Sequence, residues 1–185
     1  MEYENALPPE IAEELRALYD AASFALVEQA QHGDYAGRFR TDDPALPGAE
    51  EEYRARFHSS PALAANPRLL QICEQYIAPL FLAGLALDVA AFELYAYRME
   101  PGDYFRTHKD DYAGRAGFVY YLTRRWCWDW GGLLLAKRNG MTSAAIPAWN
   151  KLIVLDHRSD SPPHSVSMVM PWALEARAIL VGMVK

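Results

Sequence analysis

The chain changes period near residue 90. Before it, apolar residues recur at three- and four-residue steps. Ile11, Leu15, Leu18, Ala22 and Ala25 follow Pro8-Pro9 and predict a helix running to about Gly33. Proline suits the first helical position, where its missing N–H has no intrahelical partner to lose. Ser60-Pro61 opens a second helical region that reaches about Leu87 and is divided by Pro67 and Pro79. Between the two, residues 33–58 are polar and carry Pro44, Pro47, Gly48 and the acidic run Glu50-Glu51-Glu52. They read as a long loop or short irregular helices, the kind of segment that often borders a binding site.

From Phe92 onward the pattern alternates with period two. Strands are predicted over 91–99, 103–110, 117–123, 132–137, 151–156, 164–170 and 177–184. Gly102, Gly114, Gly131-Gly132, Gly140, Pro147 and Pro162-Pro163 punctuate them. Short, numerous strands of this kind point to an antiparallel sandwich or barrel. The expected architecture is helices first, packed on the outside of a β-structure that fills the second half.

Composition narrows the class without naming a function. At 185 residues the chain fits the usual one-domain prior of about 100–200, with residues 1–90 mainly helical support and 91–185 the β core. No apolar run reaches the roughly 18 residues of a membrane helix, Pro79 and Asp88 interrupting the longest. The start, Met1-Glu-Tyr-Glu-Asn, lacks the basic and apolar regions of a signal peptide. Cys73 and Cys127 make no disulfide framework or zinc spacing, so a reduced, cytoplasmic protein is expected. Net charge is −6, with 13 acids and 5 bases in residues 1–60. That balance argues against nucleic acid or an anionic membrane as partner.

His108-Lys109-Asp110 carries the chemistry. Residues two apart on a strand share a face, so the imidazole and the carboxylate converge. A third donor, His164, follows the stiff Pro162-Pro163. Two histidines and one carboxylate leave metal positions open, the donor set suited to non-haem Fe(II). His157 lies only seven residues before His164 and competes for the same reading, but it closes a strand rather than opening one.

Around these residues the sequence resembles the 2-oxoglutarate- and Fe(II)-dependent oxygenases, in their prolyl-hydroxylase-like branch. The matching stretches are Tyr97-Arg-Met-Glu-Pro-Gly-Asp-Tyr-Phe-Arg-Thr-His108-Lys-Asp110, Tyr120-Tyr121-Leu-Thr, Trp130-Gly131-Gly132-Leu, Pro147-Ala-Trp-Asn150-Lys and Pro163-His164-Ser-Val. The resemblance covers about half the chain. It implies a double-stranded β-helix, a cupin-like jelly-roll, with the metal held at its mouth by His108, Asp110 and His164. It implies Fe(II), 2-oxoglutarate and O2 as cofactor and cosubstrates, and hydroxylation of an unactivated C–H bond with release of succinate and CO2.

The same resemblance implies a basic anchor for the far carboxylate of 2-oxoglutarate, commonly about ten residues past the second histidine. Arg177 lies thirteen residues past His164, a departure that the turn Pro171-Trp-Ala-Leu-Glu-Ala absorbs. Tyr121 matches the tyrosine that joins this anchor. Tyr97 falls where the family places a pocket tyrosine, with Tyr95 as the alternative. Substrates in this branch include prolyl residues in proteins, free amino acids and small metabolites, so a small molecule or a peptide is expected. A cupin-like metal enzyme without 2-oxoglutarate, and a noncatalytic jelly-roll binding protein, are the competing classes. Other residues receive structural expectations: His32 and His58 solvated, Cys127 buried, Trp126, Trp128 and Trp130 capping the sandwich, and Asn150 supporting the site from a turn.

Overall fold

Ala116–Tyr121 is buried at every position, which only a strand covered on both faces can be. The computed structural model describes residues 1–31, 53–110, 115–138, 141–158 and 162–184. Its strands are β1 (Glu2–Tyr3), β2 (Ala25–Gln31), β3 (Tyr53–Ser59), β4 (Phe92–Met99), β5 (Tyr104–His108), β6 (Ala116–Tyr121), β7 (Leu134–Arg138), β8 (Met141–Ala145), β9 (Lys151–Asp156), β10 (His164–Val166) and β11 (Arg177–Val184). Among the described residues they pair in the order β1-β9-β6-β11-β4-β3-β5-β10-β7-β8, with β2 added onto β3. β3 pairs antiparallel with both β4 and β5 and so carries the sheet from one leaf to the other. The sheet curls into the jelly-roll that the family resemblance implied.

Alternation sorts the side chains into two cores. On β6, Phe118 and Tyr120 join the core beneath the helices, while Val119 and Tyr121 join the core inside the roll. β11 divides likewise, with Ala178 and Leu180 outward and Ile179 inward. Arg177 shares the parity of Ile179, so the pleat aims it into the roll. The outer core is completed by Ile11, Leu15 and Tyr19 of α1 (Pro9–Asp20), with Leu69, Ile77 and Phe81 of the second helical region.

That second region runs as α2 (Pro61–Ala64), α3 (Pro67–Ile72), a π-helical turn (Cys73–Ile77) and α4 (Ala78–Leu85). Ser60 caps α2 by accepting from the Leu63 N–H at 3.4 Å, and Asn66 caps α3 by accepting from the Arg68 N–H at 2.9 Å. Pro67 breaks the helix as expected. Pro79 also marks a division: it lies in the first turn of α4, just after the π turn ends at Ile77.

Four expectations need correction. The first helix stops at Asp20, once its apolar face is used, and Ala25–Gln31 is strand β2 instead. Seven residues of backbone pairing with β3 override the helical spacing of Ala22 and Ala25. The predicted loop is likewise a strand over Tyr53–Ser59, while residues 33–52, with His32, lie outside the described residues. Cys127 is exposed, because Trp126 packs inward against the inner core and turns the next residues outward. Trp126 donates to the Gly131 carbonyl at 2.9 Å and meets Trp130 edge-on, but Trp128 is 72% exposed and caps nothing.

Candidate metal and cosubstrate site

β5 ends at His108, so the predicted strand over 103–110 is shorter than expected and Asp110 lies beyond it. What aims His108 is an irregularity in the ladder. His164 pairs with His108 while Val166 pairs with Phe105, so three steps on β5 match two on β10. The extra residue is a bulge, which breaks alternation and lets Phe105 and His108 face the same way. Bulges of this kind commonly re-aim a side chain beside an active site.

The two histidines therefore stand directly opposite each other, with ring centroids 4.3 Å apart. Each Nδ1 sits on a backbone carbonyl, that of Arg106 at 2.7 Å for His108 and that of Pro162 at 3.0 Å for His164. A carbonyl can only accept, so each Nδ1 donates and each Nε2 is left to face the cluster. Both Nε2 atoms face Asp110, at 3.7 Å from His108 to Oδ1 and 3.2 Å from His164 to Oδ2. The three side chains are buried and their ligand atoms lie within 4.8 Å of one another. His157 is not part of this cluster.

Protonation in the cluster is set by burial and mutual charge. Burial, with the neighbouring His164, pushes His108 down to about 4. Burial works against the ionised form of Asp110, but the His164 hydrogen bond and the histidine charges outweigh it and hold the carboxyl below its ordinary range. Burial also works against charged His164, and there the Asp110 contact wins, raising it. Two imidazole nitrogens with oriented rings and one carboxylate are a donor set that fits a divalent first-row metal.

Arg177 forms the second feature. It is fully buried and pairs with Met99 across β11 and β4. Its Nη1 lies 3.1 Å from Met99 Sδ and its Nη2 3.4 Å from the Tyr121 hydroxyl, with the guanidinium 5.2 Å from the Tyr121 ring centroid. Its Nε is buried without a hydrogen bond, and no carboxylate pairs with it among the described residues. A buried charge without a counterion is costly, so this geometry fits a site that receives an anion. Gly132 packs against it: φ is +62°, and a Cβ there would come within 3.2 Å of Arg177 Cδ.

Tyr97 lies on the inner face of β4, where Phe57 packs against it at 4.8 Å. Phe57 also stacks on Phe105 at 4.6 Å, and Phe105 meets His108 at 6.1 Å. Burial first, and then the charges of Tyr95 and Asp110, raise the Tyr97 phenol far above neutrality, so it stays protonated. Tyr95 stacks on Tyr97 and donates to Glu93 at 2.5 Å.

Sequence reasoning missed several members of this neighbourhood. Asp103 is fully buried and accepts from Arg56 Nη1 at 2.8 Å, His58 Nδ1 at 3.0 Å and the Glu100 backbone N–H at 2.8 Å. It fixes the turn between β4 and β5, and it corrects the expectation that His58 is merely solvated. The signal was present in the alternation of Ala55 and Phe57 with Arg56 and His58. Met99 and Phe57 carried no signal beyond an apolar strand position. Asn150 occupies a turn, as expected, but its side chain serves the outer core: at φ +55° it holds Tyr120, Leu7 and the start of β9 together.

Residues 94–184 match the family model described as the 2OG-Fe(II) oxygenase superfamily. No curated protein matches the chain significantly in sequence. Among solved structures, the chain is similar to a Pseudomonas putida prolyl-4-hydroxylase (TM-score 0.61, 20% identity, 100% of this chain and 91% of that one). It is also similar to a 2OG-Fe(II) oxygenase family oxidoreductase from Burkholderia pseudomallei (0.64, 16%, 97% and 80%). A third is a Trichoplax adhaerens prolyl hydroxylase in complex with a hypoxia inducible factor oxygen degradation domain peptide fragment (0.60, 16%, 100% and 82%). These likenesses establish the jelly-roll fold. The match spans just under half of the chain, includes His108, Asp110, His164 and Arg177, and supports a 2-oxoglutarate-dependent dioxygenase using Fe(II) and O2.

Proposed function

We propose that His108, Asp110 and His164 hold the Fe(II), that Arg177 and Tyr121 hold the far carboxylate of 2-oxoglutarate, and that the chain, as one oxygenase domain, hydroxylates a small molecule or a peptide segment. The observation that carries this reading is the buried guanidinium of Arg177, aimed into the same roll as the three candidate metal donors and given no carboxylate partner among the described residues. Neither a cupin-like enzyme without 2-oxoglutarate nor a noncatalytic roll needs that residue. When bound, the metal and 2-oxoglutarate supply oxidation of an unactivated C–H bond coupled to decarboxylation of the cosubstrate.

The chain's own residues orient and shield. The carbonyls of Arg106 and Pro162 fix both imidazole rings, and Asp110 contributes the charge that balances the metal. Arg177 offers two parallel N–H donors, the geometry best matched to a carboxylate. Tyr97 remains a phenol and can donate a hydrogen bond in the pocket. Phe57, Tyr97 and Phe105 form an aromatic wall leading to His108, which keeps water from that side. Because Phe57 comes from β3, the N-terminal half supplies part of this wall. The peptide in the Trichoplax relative supports a peptide as one substrate class. No helix among the described residues is long and apolar enough to cross a membrane.

The test is a titration of Mn(II)-loaded protein with 2-oxoglutarate, followed by a metabolite and peptide screen that reads succinate with the Fe(II) form. Saturable binding that needs the metal, and succinate formed above the uncoupled background, are expected. Absence of 2-oxoglutarate binding in a metal-loaded, folded protein would refute the assignment.

A further inference from the structure

Arg177 is held by a neutral thioether on one edge, and the consequences rest on the reading of this residue as the cosubstrate anchor. Its three nitrogens have different surroundings. Nη1 is 3.1 Å from Met99 Sδ, Nη2 is 3.4 Å from the Tyr121 hydroxyl, and Nε has no hydrogen bond while fully buried. Met99 itself is fully buried and sits in ladder register with Arg177, so its side chain has no surface position to relax to. Gly132 lies beside the arginine stem, where a Cβ would come within 3.2 Å of Arg177 Cδ.

We infer that Met99 is a positioning residue for the anchor: it occupies Nη1 and leaves the Nε–Nη2 edge as the one presented to the ligand carboxylate. A thioether is a weak, uncharged acceptor. It can orient the guanidinium without neutralising it, whereas a carboxylate at this position would satisfy the charge and compete with the ligand. An aliphatic side chain would leave Nη1 with no acceptor and release the planar group from its orientation. The choice of acceptor therefore matters as much as the presence of the arginine. A planar guanidinium binds a carboxylate bidentately through one edge at a time, so fixing the edge fixes the direction from which the cosubstrate's arm enters.

The inference is tested on Mn(II)-loaded protein by calorimetric affinity for two ligands. One is 2-oxoglutarate, which reaches the anchor. The other is oxalate, which can chelate the metal but has no distal arm. Met99→Leu is expected to weaken 2-oxoglutarate about three- to tenfold, the range for one lost neutral hydrogen bond, and to leave oxalate unchanged. Met99→Gln, which restores a neutral acceptor of similar length, is expected to return 2-oxoglutarate affinity to within about twofold of the parent. Arg177→Ala serves as the control for the anchor itself. If Met99→Leu matches the parent while Arg177→Ala is weak, the inference fails and the anchor stands. If Met99→Leu weakens both ligands alike, Met99 is only a packing residue and the inference fails. If Arg177→Ala leaves 2-oxoglutarate affinity unchanged, the anchor reading falls and takes the inference with it.

Discussion

His108 and His164 are direct cross-strand partners on β5 and β10, their rings 4.3 Å apart, although 56 positions separate them in sequence. The pairing makes the placement of the two histidines a property of the sheet ladder, with Asp110 two residues past the end of β5. Sites built on strands hold geometry more tightly than sites on loops. Replacing either histidine with Ala should therefore abolish stoichiometric binding of Mn(II) or Fe(II) while leaving the far-ultraviolet circular dichroism close to the parent's. Full-occupancy binding in both single variants would show that the metal sits elsewhere.

Metal uptake should release a proton, and the source is identifiable. At neutral pH His108, lowered to about 4, is already neutral, and Asp110, lowered, is already ionised. His164 is raised, so it is the ligand that still carries a proton as pH falls toward neutrality. Metal and proton compete for its Nε2. Apparent affinity should thus increase as pH rises through the titration of His164 and level off above it. Calorimetry in buffers of different ionisation enthalpy checks this. Uptake without proton release at the acid end of the range would assign the competing proton wrongly.

Arg177→Ala should weaken 2-oxoglutarate about ten- to a hundredfold, as expected for loss of a charge-assisted hydrogen bond. Metal affinity should stay within about twofold of the parent, since Arg177 is not among the three clustered metal donors. Equal loss of both affinities would mark a folding defect.

The parts of this protein that were legible in the sequence are those where local pattern and tertiary environment agree. β6, β9 and β11 are apolar on both faces and bounded by turn residues, and each was found within a residue or two. His108, Asp110 and His164 were legible because their spacing and flanking motif are specific to the family. β2 and β3 were not. Ala22 and Ala25 fit a helical step, and only pairing with β3 makes Ala25–Gln31 a strand. The bulge that aims His108 was also hidden, because register is a relation between two strands. Asp103 was hidden for a similar reason: its three donors come from β3 and from the turn itself, so its importance exists only once β3 is placed beside β5.

Asp103→Ala tests that relation through stability. The carboxylate is fully buried and receives three hydrogen bonds, but Arg56 is partly exposed and can recover water. The cost should therefore fall below the full penalty for breaking a buried ion pair, at about 2–3 kcal/mol. Urea unfolding of the parent and the variant gives the number directly. A change under about 0.5 kcal/mol would mean that the turn Glu100–Asp103 holds without its central acceptor.

Gly132→Ala couples backbone strain to the cosubstrate site. At φ +62° an L side chain is disfavoured, and the new Cβ would meet Trp126 Cζ2 at 3.0 Å, Arg177 Cδ at 3.2 Å and Val169 Cγ2 at 3.3 Å. The first contact is with a ring pinned by its hydrogen bond to Gly131, so it cannot yield easily. The arginine stem can yield, and doing so moves the guanidinium off Met99 and Tyr121. The strain alone should cost about 1–2 kcal/mol of stability. Affinity for 2-oxoglutarate should fall several-fold in the same variant while oxalate binding to the Mn(II) form holds. A variant that loses stability but keeps its 2-oxoglutarate affinity would show that Trp126 or Val169 gives way instead, and that the anchor tolerates its neighbour.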